Sequence, residues 1–347
     1  MPRIDLRSDT LTQPTAAMRE AMFQAQVGDD VYGEDPSINE LQAYTADLFG
    51  KEDALFCASG TMCNQIAIRV STQPQDEVIC DQRAHIYLYE GGGLMVNSFV
   101  SVRLLQGDRS RLHAAQIEEN INPDDVHFPR TSLVALENTA NKGGGSIYLL
   151  SQIAAIREVC DRHGLRLHLD GARVMNACVA GGYTPKDMGD QFDTISICLS
   201  KGLGAPVGSV LVGDKATIQH AKRVRKMLGG GMRQGGFLAA AGLYALQHHV
   251  DRLEEDHRRA QKIGAFLEKA DWIEDLMPVE TNIVAFKPNS DAISTDALKA
   301  YLTSQDIHVS AFGPGYLRMV THLHITDEMT DRVIHVLAQA PVGEFIA

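Results

Sequence analysis

Apolar residues along the chain fall into two alternating patterns. Short apolar runs read as strands: ALFC (54–57), EVICD (77–81), FVSVRLL (99–105), TSLVALEN (131–138), LRLHLD (165–170), TISICLS (194–200) and VGSVLVGD (207–214). Between them lie stretches with helical spacing. Thr15 to Gln26 repeats apolar residues at Ala17, Met18, Ala21, Met22 and Ala25. INELQAYTADLF follows Asp35-Pro36 and is closed by Gly50, while SQIAAIREVCDRH is closed by Gly164. GTMCNQIAI and LHAAQIEENI read as further helices. The order to about residue 215 is that of a mainly parallel, doubly wound α/β domain. A long helical stretch is expected from Phe237 to Ala270. Beyond it TNIVAF, IHVS and YLRMVTHLHI read as strands, and STDALKAYLTSQ and TDEMTDRVIHVLAQ as helices. The pattern predicts a large α/β domain over 1–250, with residues 1–15 as an extended arm that includes Pro2, and a smaller α+β domain over 251–347.

Two strand ends carry chemistry. LRLHLD ends in Asp170, with Arg173 close behind; TISICLS ends in Ser200 and Lys201, followed by Gly-Leu-Gly-Ala-Pro. In a parallel α/β sheet the strand C-termini open onto the ligand crevice, so the acid and the lysine face one pocket. A lysine between an apolar strand and a glycine turn is expected to be half-buried, and a desolvated amine can form a Schiff base with a carbonyl. An acid on the neighbouring strand can keep a pyridinium nitrogen protonated. This pairing is what pyridoxal phosphate requires of a protein. Ser59-Gly60-Thr61 stands at a helix start, where free N–H groups and the helix dipole receive an anion; a simple N-cap by Ser59 accounts for it equally well. Ser200 can add a hydrogen bond to the same phosphate. His85, after EVICD, can stack on a cofactor ring or act as an acid or base. His322 and His324 alternate on an expected strand without a third metal ligand and read as structural. The loop GDDVYGEDP (28–36) reads as a solvated turn capping the next helix, and the basic run from Lys222 to Arg233 as a solvated face or an approach to an anion or another subunit.

Composition narrows the field. Of 347 residues, 44% are hydrophobic and 22% charged, and the formal net charge is −12, which argues against nucleic-acid or anionic-membrane partners. The six cysteines lie mostly in apolar runs with no C-x-x-C spacing, as core thiols in a reducing compartment do. MPRIDLRSDT has no apolar segment of a secretory signal, and no apolar run approaches a membrane span. A cytoplasmic location is expected.

Taken in order, IDLRSDTLTQPTAAM, GDDVYGEDP, LFCASGTMCNQ, AHIYLYEGGG, LENT, LHLDGAR, SICLSKGLGAPVGSVLVG, GGGMRQGG and LRMVTHL resemble the low-specificity L-threonine aldolases, pyridoxal-phosphate enzymes of the aspartate-aminotransferase-like fold (fold type I). The resemblance implies that Lys201 carries the cofactor, Asp170 partners its ring nitrogen and His85 stacks on the ring. It further implies that Gly60, Thr61 and Ser200, with Ser59, contact the phosphate, and that Ser8, Arg173 and Arg318 clamp the substrate carboxylate. By the same resemblance Lys226 and Arg233 contribute to the cofactor site across a subunit boundary of a homotetramer with shared active sites, while His127 and Tyr32 lie near the substrate side chain. The family often has histidine in LENTHN, where this chain has Ala140.

The implied reaction is reversible retro-aldol cleavage of L-threonine, L-allo-threonine and other L-3-hydroxy-2-amino acids to glycine and an aldehyde, with no metal. The base for the β-hydroxyl is His85 or His127. Another reaction on the same fold, β-elimination above all, would share the lysine and aspartate; a non-catalytic cofactor-binding protein would show no turnover.

Overall fold

A computed structural model describes residues 3–343; Pro2 and residues 344–347 lie outside the described residues. The strands, in chain order, are β1 (Ile4–Asp5), β2 (Asp53–Cys57), β3 (Glu77–Asp81), β4 (Ser101–Leu105), β5 (Thr131–Glu137), β6 (Arg166–Gly171), β7 (Thr194–Cys198), β8 (Ser209–Gly213), β9 (Ile273–Leu276), β10 (Ile283–Pro288), β11 (Ile307–His308), β12 (Ser310–Ala311) and β13 (Leu317–Val320). Seven of them form one sheet in the order β2-β8-β7-β6-β5-β3-β4. The pairs from β7 to β4 are parallel, and β8 runs antiparallel to both its neighbours. Every residue of β3, β5, β7 and β8 is buried, because helices cover both faces; this is why these strands read as continuous apolar runs. The mainly parallel α/β expectation is met.

A second hydrophobic cluster lies around a four-stranded antiparallel sheet, β12-β13-β10-β9, with Phe286, Leu298, Leu317 and Leu337 at its centre. Ile4 and Leu6 belong to this cluster. The arm is stitched in by the parallel β1–β11 pair and by the Val320 N–H, which donates to Leu6 O at 2.8 Å. The N-terminal arm therefore packs with the C-terminal part of the chain and then runs back to the large sheet.

Several local readings change. The stretch 237–270 is two helices, Gly236–His248 and Leu253–Leu267. The break falls where the His249 ring, through Nδ1, bonds Leu203 O at 2.7 Å in the loop after Lys201, a tertiary contact that overrides helix propensity. The strand expected over 316–325 stops at Val320: His322 Nε2 instead bonds Asp5 O, and His324 Nε2 accepts from the Gln13 N–H. The loop 28–36 is not merely solvated. Asp35 is fully buried and caps helix Pro36–Leu48, accepting from Ile38 N–H at 3.0 Å, and Asp30 forms a buried pair with Arg225. Arg225 lies in helix Lys215–Met227, so the basic run is partly core.

Gly171 closes β6 beside Asp170. A Cβ there would sit 2.5 Å from Ser196 O on β7, so glycine permits the close pairing of the two strands that carry the chemistry. Gly171→Ala must push them apart, and the cost expected for such overpacking is about 1–3 kcal/mol. Denaturant unfolding reads it; an unchanged midpoint would show that the strands separate freely.

Candidate active site

The sheet gathers its functional groups along one edge. Asp170 is the last residue but one of β6, Lys201 follows β7, Glu137 ends β5 and His85 begins a helical turn, His85–Leu88, just past β3. Because these strands are parallel, the four residues share the C-terminal edge. A cavity of about 320 Å³ opens there. His85, Glu137, Arg173 and Lys201 line it from the large sheet, Ser8 from the arm, and Arg318 from β13. Five of the residues anticipated from sequence, Ser8, His85, Arg173, Lys201 and Arg318, thus share one cavity.

Arg173 and Asp9 form its firmest contact. Arg173 Nε and Nη2 donate to the two Asp9 carboxylate oxygens at 2.7 Å each, and both side chains are buried. Burial by itself would raise the Asp9 carboxyl, but Arg173, and beyond it Lys201 and Arg318, hold it well below the usual carboxylate range. Arg318 donates through Nη1 to Asn141 Oδ1 (2.7 Å) and through Nη2 to Arg7 O (3.0 Å); its buried Nε has no hydrogen-bond partner among the described residues. Burial first, and the Arg173 charge second, push its pKa down to about 10. Two guanidinium groups thus stand close together at the cavity wall, where their charge can attract a carboxylate. Ser8 caps the turn Asp9–Leu11, its Oγ accepting from Thr10 N–H, and so presents its hydroxyl at the same wall.

Asp170 sits just behind the cavity. It accepts from Asn64 Nδ2 at 3.0 Å and from Ala172 N–H at 3.1 Å. Asn64 lies on helix Gly60–Ser71, one turn after Gly60 and on the same face, so the start of that helix is held alongside Asp170. Ser59 is its N-cap, accepting from Met62 N–H at 3.2 Å, which leaves the Gly60 and Thr61 N–H groups as first-turn donors. Ser209 Oγ, buried and without a hydrogen-bond partner among the described residues, lies 3.5 Å from where a Cβ on Gly60 would sit. A helix start with free donors, an unpaired hydroxyl, an acid and a lysine is a donor set that suits a phosphorylated pyridine aldehyde.

Other anticipated residues lie outside the cavity. Ser200 touches Cys198 Sγ at 3.6 Å. Tyr32 and Lys226 line a separate cavity of about 250 Å³. Exposed Arg233 pairs with Asp29. His127 has 82% of its side chain exposed and pairs with Asp125. Ala140 is buried, bridged to Ser146, and is not part of the cavity wall. All six cysteines are free and buried, and burial pushes the thiols of Cys80, Cys160 and Cys178 up to about 12.

Three residues not singled out from sequence complete the site: Asn64, Glu90 and Glu137. Glu90 and Glu137 stand inside the motifs YEGGG and LENT, yet nothing in residue type distinguishes them from surface acids. Glu137 is buried and is the Cα partner of Asp170 across β5 and β6. Burial first, then the Asp170 charge, push its pKa up to about 7. Its two oxygens accept from the N–H groups of His85 and Asn141, each at 2.8 Å.

Asp9→Asn leaves Arg173 buried without a counter-charge and is expected to cost roughly 3–5 kcal/mol at neutral pH. Since the folded-state pKa of Asp9 is depressed, its stabilisation is full above the unfolded value near about 3.9 and is lost as the pH falls below it. Unfolding measured at a series of pH values should show the gap between parent and variant closing in acid; a constant gap would refute the ionic origin.

Comparison with known proteins follows the same lines. The family model for beta-eliminating lyases matches residues 5–290. The chain is 43% identical over 331 residues to the low specificity L-threonine aldolase of Escherichia coli strain K12, covering 95% of this chain and 97% of that protein. It is 40% identical over 338 residues to the probable low-specificity L-threonine aldolase 2 of Arabidopsis thaliana, covering 95% of each. In fold it matches the Leishmania major threonine aldolase structure with a TM-score of 0.84 at 22% identity, over 97% of this chain and 99% of that one, and a Rhizobium meliloti aspartate aminotransferase with 0.71 at 18% identity, over 98% and 92%. At such identity and coverage the chain belongs to the low-specificity L-threonine aldolase family.

Proposed function

We propose that the protein is a pyridoxal-phosphate-dependent aldehyde-lyase that cleaves L-threonine and L-allo-threonine, with other L-3-hydroxy-2-amino acids, reversibly to glycine and an aldehyde, acetaldehyde for threonine itself. The observation that carries this is the placing of Lys201, His85 and two arginines, Arg173 and Arg318, on one cavity wall with Asp170 directly behind. Lys201 Nζ is the amine that holds the cofactor aldehyde, Asp170 the acid that keeps its ring nitrogen protonated, and Gly60, Thr61 and Ser200 donors for its phosphate. When bound, pyridoxal phosphate supplies the electron sink for the pair released from the Cα–Cβ bond.

The chain's own residues do the rest. Arg318 and Arg173, with Ser8, hold the substrate carboxylate and fix rotation about its neighbouring bonds, so the bond to be broken stands in one orientation. His85 takes the proton of the β-hydroxyl. Burial works against its charged form, but Glu90, then Asp170 and Glu137, raise its pKa overall; imidazole is the side chain whose ordinary titration suits accepting and returning a proton near neutral pH. His127 is the other candidate base and would act on a neighbouring subunit.

A homotetramer built from dimers with shared active sites fits the surface. Tyr32, Lys226, Arg233 and His127 stand outside the cavity, while Met95, Phe99, Phe128 and Met227 are exposed apolar groups, of the kind an interface covers. Among the described residues no helix is long and apolar enough to cross a membrane; the acidic charge and the buried free thiols support a cytoplasmic location and no nucleic-acid partner.

Cofactor-loaded protein incubated separately with L-threonine and L-allo-threonine should release acetaldehyde, and Lys201→Ala should abolish the release; the ratio of the two rates gives the stereochemical preference. Cofactor retention without aldehyde from either substrate, and ammonia with a keto acid instead, would establish β-elimination. Asp170→Ala should reduce turnover by orders of magnitude while Lys201 still binds the cofactor; unchanged turnover would remove Asp170 from its role.

A further inference from the structure

Behind His85 lies a buried polar network centred on Glu90, a residue with no direct contact to the reacting groups in the reaction described above other than His85. Glu90, whose side chain is fully buried, is surrounded by donors: Asn64 Nδ2 at 2.9 Å and His85 Nδ1 at 3.0 Å, both on Oε1, and Gln65 Nε2 at 2.5 Å on Oε2. Asn64 Nδ2 has two hydrogens and gives the second to Asp170 Oδ2 at 3.0 Å. That the amide nitrogen faces two carboxylates fixes the Asn64 orientation, so its Oδ1 faces His168 Nε2 at 3.2 Å. His168 must then carry its proton on Nε2 and accept from Thr194 Oγ1–H on Nδ1, at 2.9 Å. His168 is fully buried, and burial holds its pKa down to about 4, so it is neutral at working pH. The hydrogen-bond directions from Thr194 to Glu90 are thus determined one by one.

We infer that Glu90 is a positioning residue that holds His85 in its Nδ1-protonated form, making Nε2 the atom that exchanges a proton with the substrate hydroxyl, and that Asn64 ties this arrangement to Asp170. The inference rests on the reading of His85 as the group that faces the hydroxyl. His85, Glu90 and Asp170 bring ligand atoms within 4.8 Å of one another, but the Asn64 amide already bridges the two carboxylates, and the His85 ring is turned onto one of them. The groups that face His85 are Glu90 and Tyr89 on its own segment, Glu137 on β5 and Asp170 on β6, with Lys142, Lys201, Arg173 and Arg318 around the cavity. Glu90 alone among the acids bonds the imidazole ring; Glu137 holds the backbone N–H of His85.

The test compares holoenzymes of the parent, Glu90→Gln and Glu90→Asp. Peptide-resolved diethyl pyrocarbonate labelling of His85 against pH gives the midpoint of the imidazole directly, without reference to turnover. The acid limb of the kcat/KM profile gives the same group in the working enzyme. An anion beside an imidazole favours its charged form, so Glu90→Gln should move both midpoints to lower pH, by about one unit. It should also lower kcat by roughly tenfold or more with KM little changed. Glu90→Asp keeps the charge and should retain most of the parent midpoint. A Gln variant with the parent midpoint overturns the assignment. Should that variant not fold, the parent decides: a His85 midpoint at or below that of an ordinary histidine, about 6.5, overturns it as well. Absence of aldehyde release from the parent would instead sink the aldolase reading, and the labelling midpoints would still report on Glu90.

Discussion

Asp9 is fully buried, with its charge among three cations: Arg173, which grips it by two bonds, Lys201 and Arg318. Taking a carboxylate and a guanidinium out of water costs several kcal/mol for each ion, and the cost is offset only by good geometry and further hydrogen bonds. Both are present here. The fork is bidentate, and Asn282 Nδ2 adds a donor at 3.4 Å. The pair also joins distant parts of the chain. Asp9 rides on the arm held by β1–β11 and by the Leu6–Val320 bond, whereas Arg173 follows directly on β6. One contact therefore places Ser8 and Arg318, which belong with the smaller hydrophobic cluster, against Asp170 and Lys201, which belong with the large sheet.

Much of this was legible in the chain. Buried parallel strands are apolar throughout, so LRLHLD and TISICLS could be read as strands, and the polar residues at their ends had to lie at the sheet edge. Gly50 and Gly164 marked true helix ends, and Asp35-Pro36 a true start. What could not be read depends on contacts between distant segments. The helix break at His249 coincides with a contact from its ring to a carbonyl at 203, distant in the sequence. The burial of Asp30 depends on Arg225, far along the chain. Glu90 and Glu137 look like surface acids until the fold closes around them. Asn64 is one amide in an otherwise ordinary helix, and only the meeting of two carboxylates at its nitrogen shows that its orientation matters.

Glu137 and Glu90 approach His85 from different sides. Glu137 holds the backbone N–H of His85 and that of Asn141, whose side chain in turn accepts from Arg318. Glu90 holds the imidazole itself. The main-chain bond sets where His85 stands, and the ring bond sets which way it faces. Glu137 also connects that position, through Asn141, to Arg318 across the cavity, so the histidine and the arginine are braced by the same buried acid. The shell supporting the site is thus continuous, as an arrangement held within a fraction of an ångström requires.

The charges are layered, and the layering answers how a protein of net charge −12 can hold anions. Asp9, Asp170 and Glu90 lie beneath the cavity, buried and occupied by donors. The walls themselves carry Lys142, Arg173, Lys201 and Arg318 against the single acid Glu137. Burial and then the Asp170 charge push the Glu137 pKa up to about 7, which disfavours its charged form. The buried acids hold the cations in place without cancelling the field that an incoming group meets, because each acid is turned away from the opening and onto its own donors. An anion entering the cavity meets a wall whose charged groups are mostly cations. The fold thus gathers Lys142, Arg173, Lys201 and Arg318 around one cavity and places the matching acids one layer deeper.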